Sequence, residues 1–203
     1  GLIASYYNAD ILDAEAGDLT LEQTEEAIRN TGYKDVLLVV MGNNPSVSSP
    51  PKMVVTEQLA ERLKDLNIMM TGIHPLAVRN SHQVLEEPFR GFPEIQWVKL
   101  PMNLYRAHFW HCLDGSPRSP YASIYTSLGC PYNCFYCNIH TLYGDRRIRL
   151  RPLEDIFREI DLLRVKYGVR NIKIWDELFT LKEDRVLSIC EGLRDYDLNI
   201  WAY

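Results

Sequence analysis

The 203-residue chain lacks any long apolar run: its longest aliphatic stretch, Val36 to Met41, falls far short of the roughly 20 residues that a membrane span needs. Its amino end lacks the basic-then-apolar pattern of an export signal. Blocks of positive charge are missing too. The 22 basic and 27 acidic side chains leave a net charge of −5 with Lys and Arg dispersed, which argues against a nucleic-acid or anionic-membrane partner. Cysteine is scarce, and its count of five is odd, so a fully paired disulfide framework is excluded. Three of the five fall within residues 130 to 137, a packing that suits ligation in a reducing compartment. No internal repeat or low-complexity segment occurs. The expectation is a soluble, cytoplasmic, globular protein, and 46% hydrophobic content is ample for a packed core. The start at Gly1 and the close on "LNIWAY", an apolar run that reads as a strand just begun, suggest a piece of a longer protein.

What is present is an alternation of strand and helix patterns. "ADILDA" (9 to 14) reads as a strand, and "TLEQTEEAIRNTG" as a helix with a Thr20/Gln23 capping box and a Gly32 stop. "DVLLVVMG" (35 to 42) is a continuous apolar run of the kind found in parallel strands covered on both faces. A helix is expected over 53 to 66, then a short strand ending at Gly72. From His82 to Arg118 the periodicity fades into a connector. "YASIYTSL" (121 to 128) is strand-like, residues 152 to 167 fit a helix begun by Pro152 and stopped by Gly168, and "NIKIWDE" is the next strand. A Thr180/Glu183 capping box then opens a helix to about Arg194, and "NIWAY" starts a third strand. Such alternation implies parallel sheets with right-handed crossovers. Three segments are expected: an incomplete Rossmann-like unit over 1–85, a connector over 86–120, and a second unit over 121–203.

The stretch "SLGCPYNCFYCNIHTLYG" (127 to 144) carries Cys130, Cys134 and Cys137. Spacings of four and three would align them on a helix as buried thiols, although Gly129, Pro131 and Asn133 oppose a regular helix. Structural zinc is a second reading, with His140 completing a Cys₃His set. An iron-sulfur cluster is the third, and three thiolates would leave one iron of a 4Fe-4S cube without a protein ligand. His108 and His111 would share a face if "YRAHFWHC" is helical, but a third ligand is not evident. Cys190, in line with Val186, Ile189 and Leu193, reads as a core thiol.

"CPYNCFYC" matches the CxxxCxxC loop of the radical S-adenosylmethionine (SAM) enzymes, including an aromatic residue, Tyr136, before the third cysteine, and the chain resembles that family. The resemblance implies that Cys130, Cys134 and Cys137 ligate a 4Fe-4S cluster whose open iron chelates SAM, and that Tyr136 lies beside the adenine. "RIRLRPLEDIFREIDLL" and "YGVRNIKIWDELFT" look like the family's first helix and second strand. The second ends in Asp176 and Glu177, where family members place a Gly-Gly-Glu type motif that holds the SAM amino group; the glycines are absent here. Both acids are expected to face the site from a strand's carboxyl end.

The first hundred residues resemble the cobalamin-binding domain that precedes the radical SAM core in one large subgroup, through "ILDAEAGDLTLEQ", "KDVLLVVMG" and "GIHPLA". By position, Gly42, Ser46, Ser48 and Gly72 would let a flat corrin approach the backbone. No DxHxxG pattern occurs, so His74 is not expected as an axial ligand, and the first strand and the last strand and helix of that domain look missing. The fold expected is α/β, a Rossmann-like (flavodoxin-like) parallel sheet followed by the first half of a radical SAM (β/α) partial TIM barrel. The resemblance implies cleavage of SAM, with cobalamin-dependent methyl transfer or related radical chemistry on a small-molecule substrate, and an electron donor such as flavodoxin or ferredoxin. A non-catalytic zinc- or cluster-stabilised module, and a radical SAM enzyme that no longer binds cobalamin, are the alternatives.

Overall fold

The computed structural model of the chain describes residues 1–40, 53–78, 83–85, 91–107 and 118–202. Its elements in order are α1 (Leu2–Tyr7), α2 (Leu21–Thr31), β1 (Asp35–Val39), α3 (Met53–Arg62), β2 (Asn67–Thr71), α4 (Ile73–Val78), β3 (Gln83–Val84), β4 (Tyr121–Ile124), β5 (Ser127–Leu128), α5 (Ile139–Tyr143), β6 (Arg149–Leu150), α6 (Leu153–Tyr167), β7 (Asn171–Ile174), α7 (Glu183–Gly192) and β8 (Asn199–Trp201). Two all-parallel sheets result, one in the order β1-β2-β3 and the other β4-β7-β8, and β5 and β6 form a separate antiparallel pair.

In the amino-terminal unit, α2 begins and ends where its capping residues dictate. The Gln23 N–H donates to the Thr20 hydroxyl at 3.2 Å, the Thr20 N–H donates to Gln23 Oε1 at 2.9 Å, and Gly32 ends the helix at φ 73°. β1 and β2 pair in register from Asp35↔Asn67 to Val39↔Thr71. Ile28, Leu38, Leu59, Leu63 and Met70 bury their side chains between this sheet and helices α2 and α3. A two-residue strand, β3, adds to β2, so the unit has a third parallel strand where none was expected.

Several expectations fail here for local reasons. Residues 9 to 14 form no strand; α1 precedes them, Asn8 ends it in the left-handed region at φ 51°, and the chain then turns at 14 to 18. The segment is irregular, with Leu12 exposed, and it meets the connector where Asp13 accepts the Tyr105 hydroxyl at 2.9 Å. α3 ends at Arg62 in place of Leu66.

In the second unit, α6 fits its caps, with Glu154 and Asp155 in the first turn and Gly168 in the left-handed conformation at φ 65°. Pro152 sits at the N-cap, one position before the expected one. Ile156, Ile160 and Leu163 pack against Ala122, Ile124, Ile172 and Ile174 of the sheet and against Ile189 and Leu193 of α7. The Thr180/Glu183 capping box does not form. Residues Phe179–Leu181 make a 3₁₀ turn and Lys182 becomes the N-cap without a side-chain bond. Cys190 is exposed while its neighbour Ile189 is buried, so the thiol lies on the solvent side of α7 and is not in the core. The expected strand over 121 to 128 divides at Tyr125 into β4 and β5, which join different partners. Among the described residues no helix is long and apolar enough to cross a membrane.

A third cluster, Ile3, Ile73, Leu76, Leu128, Leu142 and Tyr143, joins the two units through α4 and α5. The chain enters α4 through Gly72, whose φ of 116° and lack of a side chain are both required, because a Cβ there would lie 2.2 Å from the Val40 carbonyl oxygen. Gly168 also has positive φ, but a Cβ would meet nothing within 4 Å. Gly168→Ala is expected to cost about 1 to 2 kcal/mol from the left-handed backbone alone, and Gly72→Ala more than about 3 kcal/mol because the sheet must also shift. Urea midpoints of the two variants at unchanged m test this order.

Candidate functional site

The cysteine loop is held by its stems. β5 and β6 pair through Ser127↔Leu150 and Leu128↔Arg149, and the Arg151 N–H donates to the Thr126 carbonyl at 3.0 Å. Arg185, reaching from α7, donates to the same Thr126 carbonyl at 3.0 Å and to the Arg151 carbonyl at 2.5 Å, so one guanidinium spans both stems. Burial holds the Arg185 side chain below its ordinary pKa.

Asp176 and Glu177 follow β7 and diverge, as consecutive residues on extended chain do. Asp176 was expected to face a ligand. It is instead buried at 3% exposure, with Oδ1 accepting the Thr126 N–H at 2.7 Å and Oδ2 accepting the Thr126 and Ser127 hydroxyls at 2.5 and 2.7 Å. Its oxygens are turned to the loop's first stem. Glu177 turns to the loop itself: Oε2 accepts the Gly129 N–H at 3.0 Å and Oε1 accepts the Tyr143 hydroxyl at 2.6 Å. Burial, with the neighbouring Asp176 charge, raises the Glu177 carboxyl above its ordinary 4.5. Burial and the Glu177 charge push the Tyr143 phenol up as well, so it stays a donor.

Gly129 lies where β5 meets the loop, at φ 90°, and a Cβ would sit 2.2 Å from the Arg147 carbonyl oxygen. Only glycine allows that approach of outgoing and returning chain. Beyond it, Cys130 is partly exposed, Cys134 and Cys137 are exposed, and none is disulfide-bonded. The Cys137 N–H donates to the Cys134 carbonyl at 3.0 Å, a tight turn rather than a helix, which removes the reading of buried thiols on a helical stripe. Tyr136 is 80% exposed and packs edge-on against Phe135 at 5.2 Å between ring centroids. His140 binds across the loop, Nε2 within 2.6 Å of the Tyr132 carbonyl oxygen and Nδ1 within 3.1 Å of the Asp145 carbonyl oxygen. Both ring nitrogens face carbonyl oxygens within the loop, so neither is turned outward as a fourth ligand. Asp145 takes the Arg147 N–H and a two-pronged Arg149 guanidinium, which hold its carboxyl below the usual range and fix the returning chain. Among the described residues no three His, Cys, Asp or Glu side chains converge on a common point as a metal site. The loop thus presents three free thiols as donors.

Gly72 lies at the carboxyl end of β2, but its clearance is taken by Val40. Gly42, Ser46 and Ser48 lie outside the described residues, as do His108 and His111. Sequence reasoning missed Thr126, Ser127, Tyr143 and Arg185. Their residue types carry no signal in a strand or helix, and each acquires its role from a partner at least 34 positions away.

Residues 124–196 match the Radical SAM superfamily. The chain is 31% identical over 140 residues to an uncharacterized methyltransferase of Pyrococcus horikoshii, which covers 64% of this chain and 28% of that protein. It is 29% identical over 91 residues to the cytidylyl-2-hydroxyethylphosphonate methyltransferase of Streptomyces wedmorensis, covering 42% of this chain and 17% of that one. The chain therefore spans less than a third of the length of either curated relative. Among solved structures, the radical S-adenosylmethionine methyltransferase TsrM of Kitasatospora setae, with tryptophan substrate and the SAM analogue aza-SAM bound, is similar in fold. Its TM-score is 0.61 over 98% of this chain and 50% of that chain, at 13% identity.

Two outcomes follow from the paired acids. Asp176→Ala strips a charged acceptor from three buried donors and is expected to cost about 3 kcal/mol or more in chemical denaturation. For Glu177 the folded carboxyl holds its proton more tightly than the unfolded one. Its contribution is therefore most favourable below 4.5 and is lost as pH rises through the higher folded value. Measured without metal, the stability of wild type minus that of Glu177→Gln is expected to fall as pH rises from 4.5.

Proposed function

We propose that this chain, whose residues 124–196 match the Radical SAM superfamily, carries the cluster- and SAM-binding part of a methyltransferase, with Cys130, Cys134 and Cys137 as ligands of a 4Fe-4S cluster. One observation carries this reading: Glu177, at the end of β7, is hydrogen-bonded at 3.0 Å to Gly129, the residue immediately before Cys130. A carboxylate suited to an ammonium group is thereby fastened at the start of the loop that carries the three free thiols. The donor chemistry fits the group, since three thiols without a fourth partner leave one iron of a cube open. A Cys₃His zinc site finds no support in His140, whose ring nitrogens are both engaged.

When bound, the cluster supplies the electron that breaks a carbon–sulfur bond of SAM, with an external donor such as flavodoxin or ferredoxin as its source. The chain's own residues bind and orient. Glu177 would accept from the SAM amino group with the acceptor capacity that Gly129, Tyr143 and its own backbone N–H leave. Tyr136, exposed on the loop, would lie against the adenine. Asp176 holds the stem through Thr126 and Ser127.

A methyltransferase reading is supported by the names of both curated relatives. Cobalamin as methyl carrier is argued from the resemblance of the first hundred residues and from those names. Gly72 offers a corrin no clearance of its own, because the missing side chain is already matched by the Val40 carbonyl. The substrate proposed is a small molecule.

Anaerobic reconstitution tests the reading. About four iron atoms per chain are expected, with an electron paramagnetic resonance spectrum of the reduced protein that changes on SAM addition. Cys130→Ala, Cys134→Ala and Cys137→Ala should each lose most of that iron, and Glu177→Gln should keep it while binding SAM about tenfold more weakly. A colourless protein with one zinc would end the proposal. Cobalamin is tested separately, by stoichiometric corrinoid absorbance.

A further inference from the structure

Glu177 sits on a short segment after β7, and a carboxylate held at one oxygen can still pivot about that bond. Gly129 secures Oε2, and the second fixed point is Tyr143, whose hydroxyl donates to Oε1 at 2.6 Å. A phenol donating to a carboxylate at this distance makes a short, charge-assisted bond. Tyr143 is the last residue of α5, six positions after Cys137, and Gly144 ends the helix directly behind it at φ 71°. The chain that supplies the thiols therefore also delivers this hydroxyl.

The ring of Tyr143 is only 4% exposed and belongs to the cluster that contains Leu128 and Leu142 of the second unit and Ile73 and Leu76 of α4. Its seat is thus shared by the two units.

We propose that Tyr143 is a positioning residue whose hydroxyl fixes the Glu177 carboxylate for the amino group of SAM. This rests on the reading of Glu177 given above. With the Gly129 N–H, the Tyr143 hydroxyl and its own backbone N–H as donors, the carboxylate still has acceptor capacity for the incoming ammonium, while those donors remove the freedom that binding would otherwise have to freeze. Partners that hold a ligand-binding side chain in this way typically change affinity by about 10- to 100-fold when removed.

The test uses the full chain, reconstituted anaerobically and titrated with SAM while the resonance spectrum of the reduced cluster is followed. Tyr143→Phe removes one oxygen and keeps the ring, so iron content should equal that of wild type while SAM binds about tenfold more weakly. On a Glu177→Gln background the same substitution should bring no further loss. Leu142→Ala disturbs the shared cluster without touching Glu177; it should lower the unfolding midpoint yet leave SAM affinity within about twofold of wild type. Wild-type affinity in Tyr143→Phe, an undiminished second loss on the Glu177→Gln background, or an equal loss in Leu142→Ala would overturn the proposal. A wild-type chain that takes up no iron would instead overturn the functional reading beneath it.

Discussion

The buried carboxylate of Asp176 and its three donors from Thr126 and Ser127 are the constraint on which the site depends. An ionised group at 3% exposure is tolerable only when hydrogen bonds replace the lost water. Those donors are consecutive residues at the point where β4 gives way to β5, so satisfying the charge fixes the path of the chain into the cysteine loop. The same bonds fix the end of β7, and with it the backbone from which Glu177 projects. Arg185 then closes the arrangement from α7 by gripping the carbonyls of Thr126 and Arg151. Strand, loop and crossover helix meet at one buried charge.

The loop beyond is fastened at its edges and open in its middle. His140 binds the outgoing chain to the returning one, Gly129 lets the two approach and the Asp145–Arg149 pair fixes the returning chain, whereas Phe135 is 99% and Tyr136 80% exposed. Exposed aromatic rings beside exposed thiols are costly to leave in water, and they suit a place where ligands cover both. A rigid rim with an uncovered centre is what a site needs if its own ligands complete the packing.

A buried ion pair ties the connector to the second unit. Arg151 pairs with Glu159 of α6, and the Trp97 indole N–H donates to the other Glu159 oxygen at 2.9 Å. This joins residues 91 to 107 to the second unit, where Trp97 and Met102 enter the core beside Ile156 and Ile160. The connector is therefore part of the second core; α4 and α5 join the units, as do bonds such as Tyr105 to Asp13 and Gln96 to Ser5.

The elements legible in the sequence were those whose signals are local. α2 followed from its capping box, α6 from its acidic first turn and Gly168, and β1 from an unbroken apolar run. The three thiols were legible for the same reason, since eight residues contain the entire pattern. Where local signals were weak or shared, they misled. The strand expected at 9 to 14 had no partner to pair with, the Thr180/Glu183 spacing occurred where the chain turns as a 3₁₀ helix, and Cys190 fell one position off the buried face of α7. The sequence by itself determined the alternation of strand and helix and the set of donor atoms, because propensity, capping and spacing act over a few residues. Only the tertiary structure decided that Asp176 is a buried tie while Glu177 faces the loop, and that Tyr143 reaches it. Those roles depend on which side of a strand meets which distant backbone, and long-range packing alone settles that.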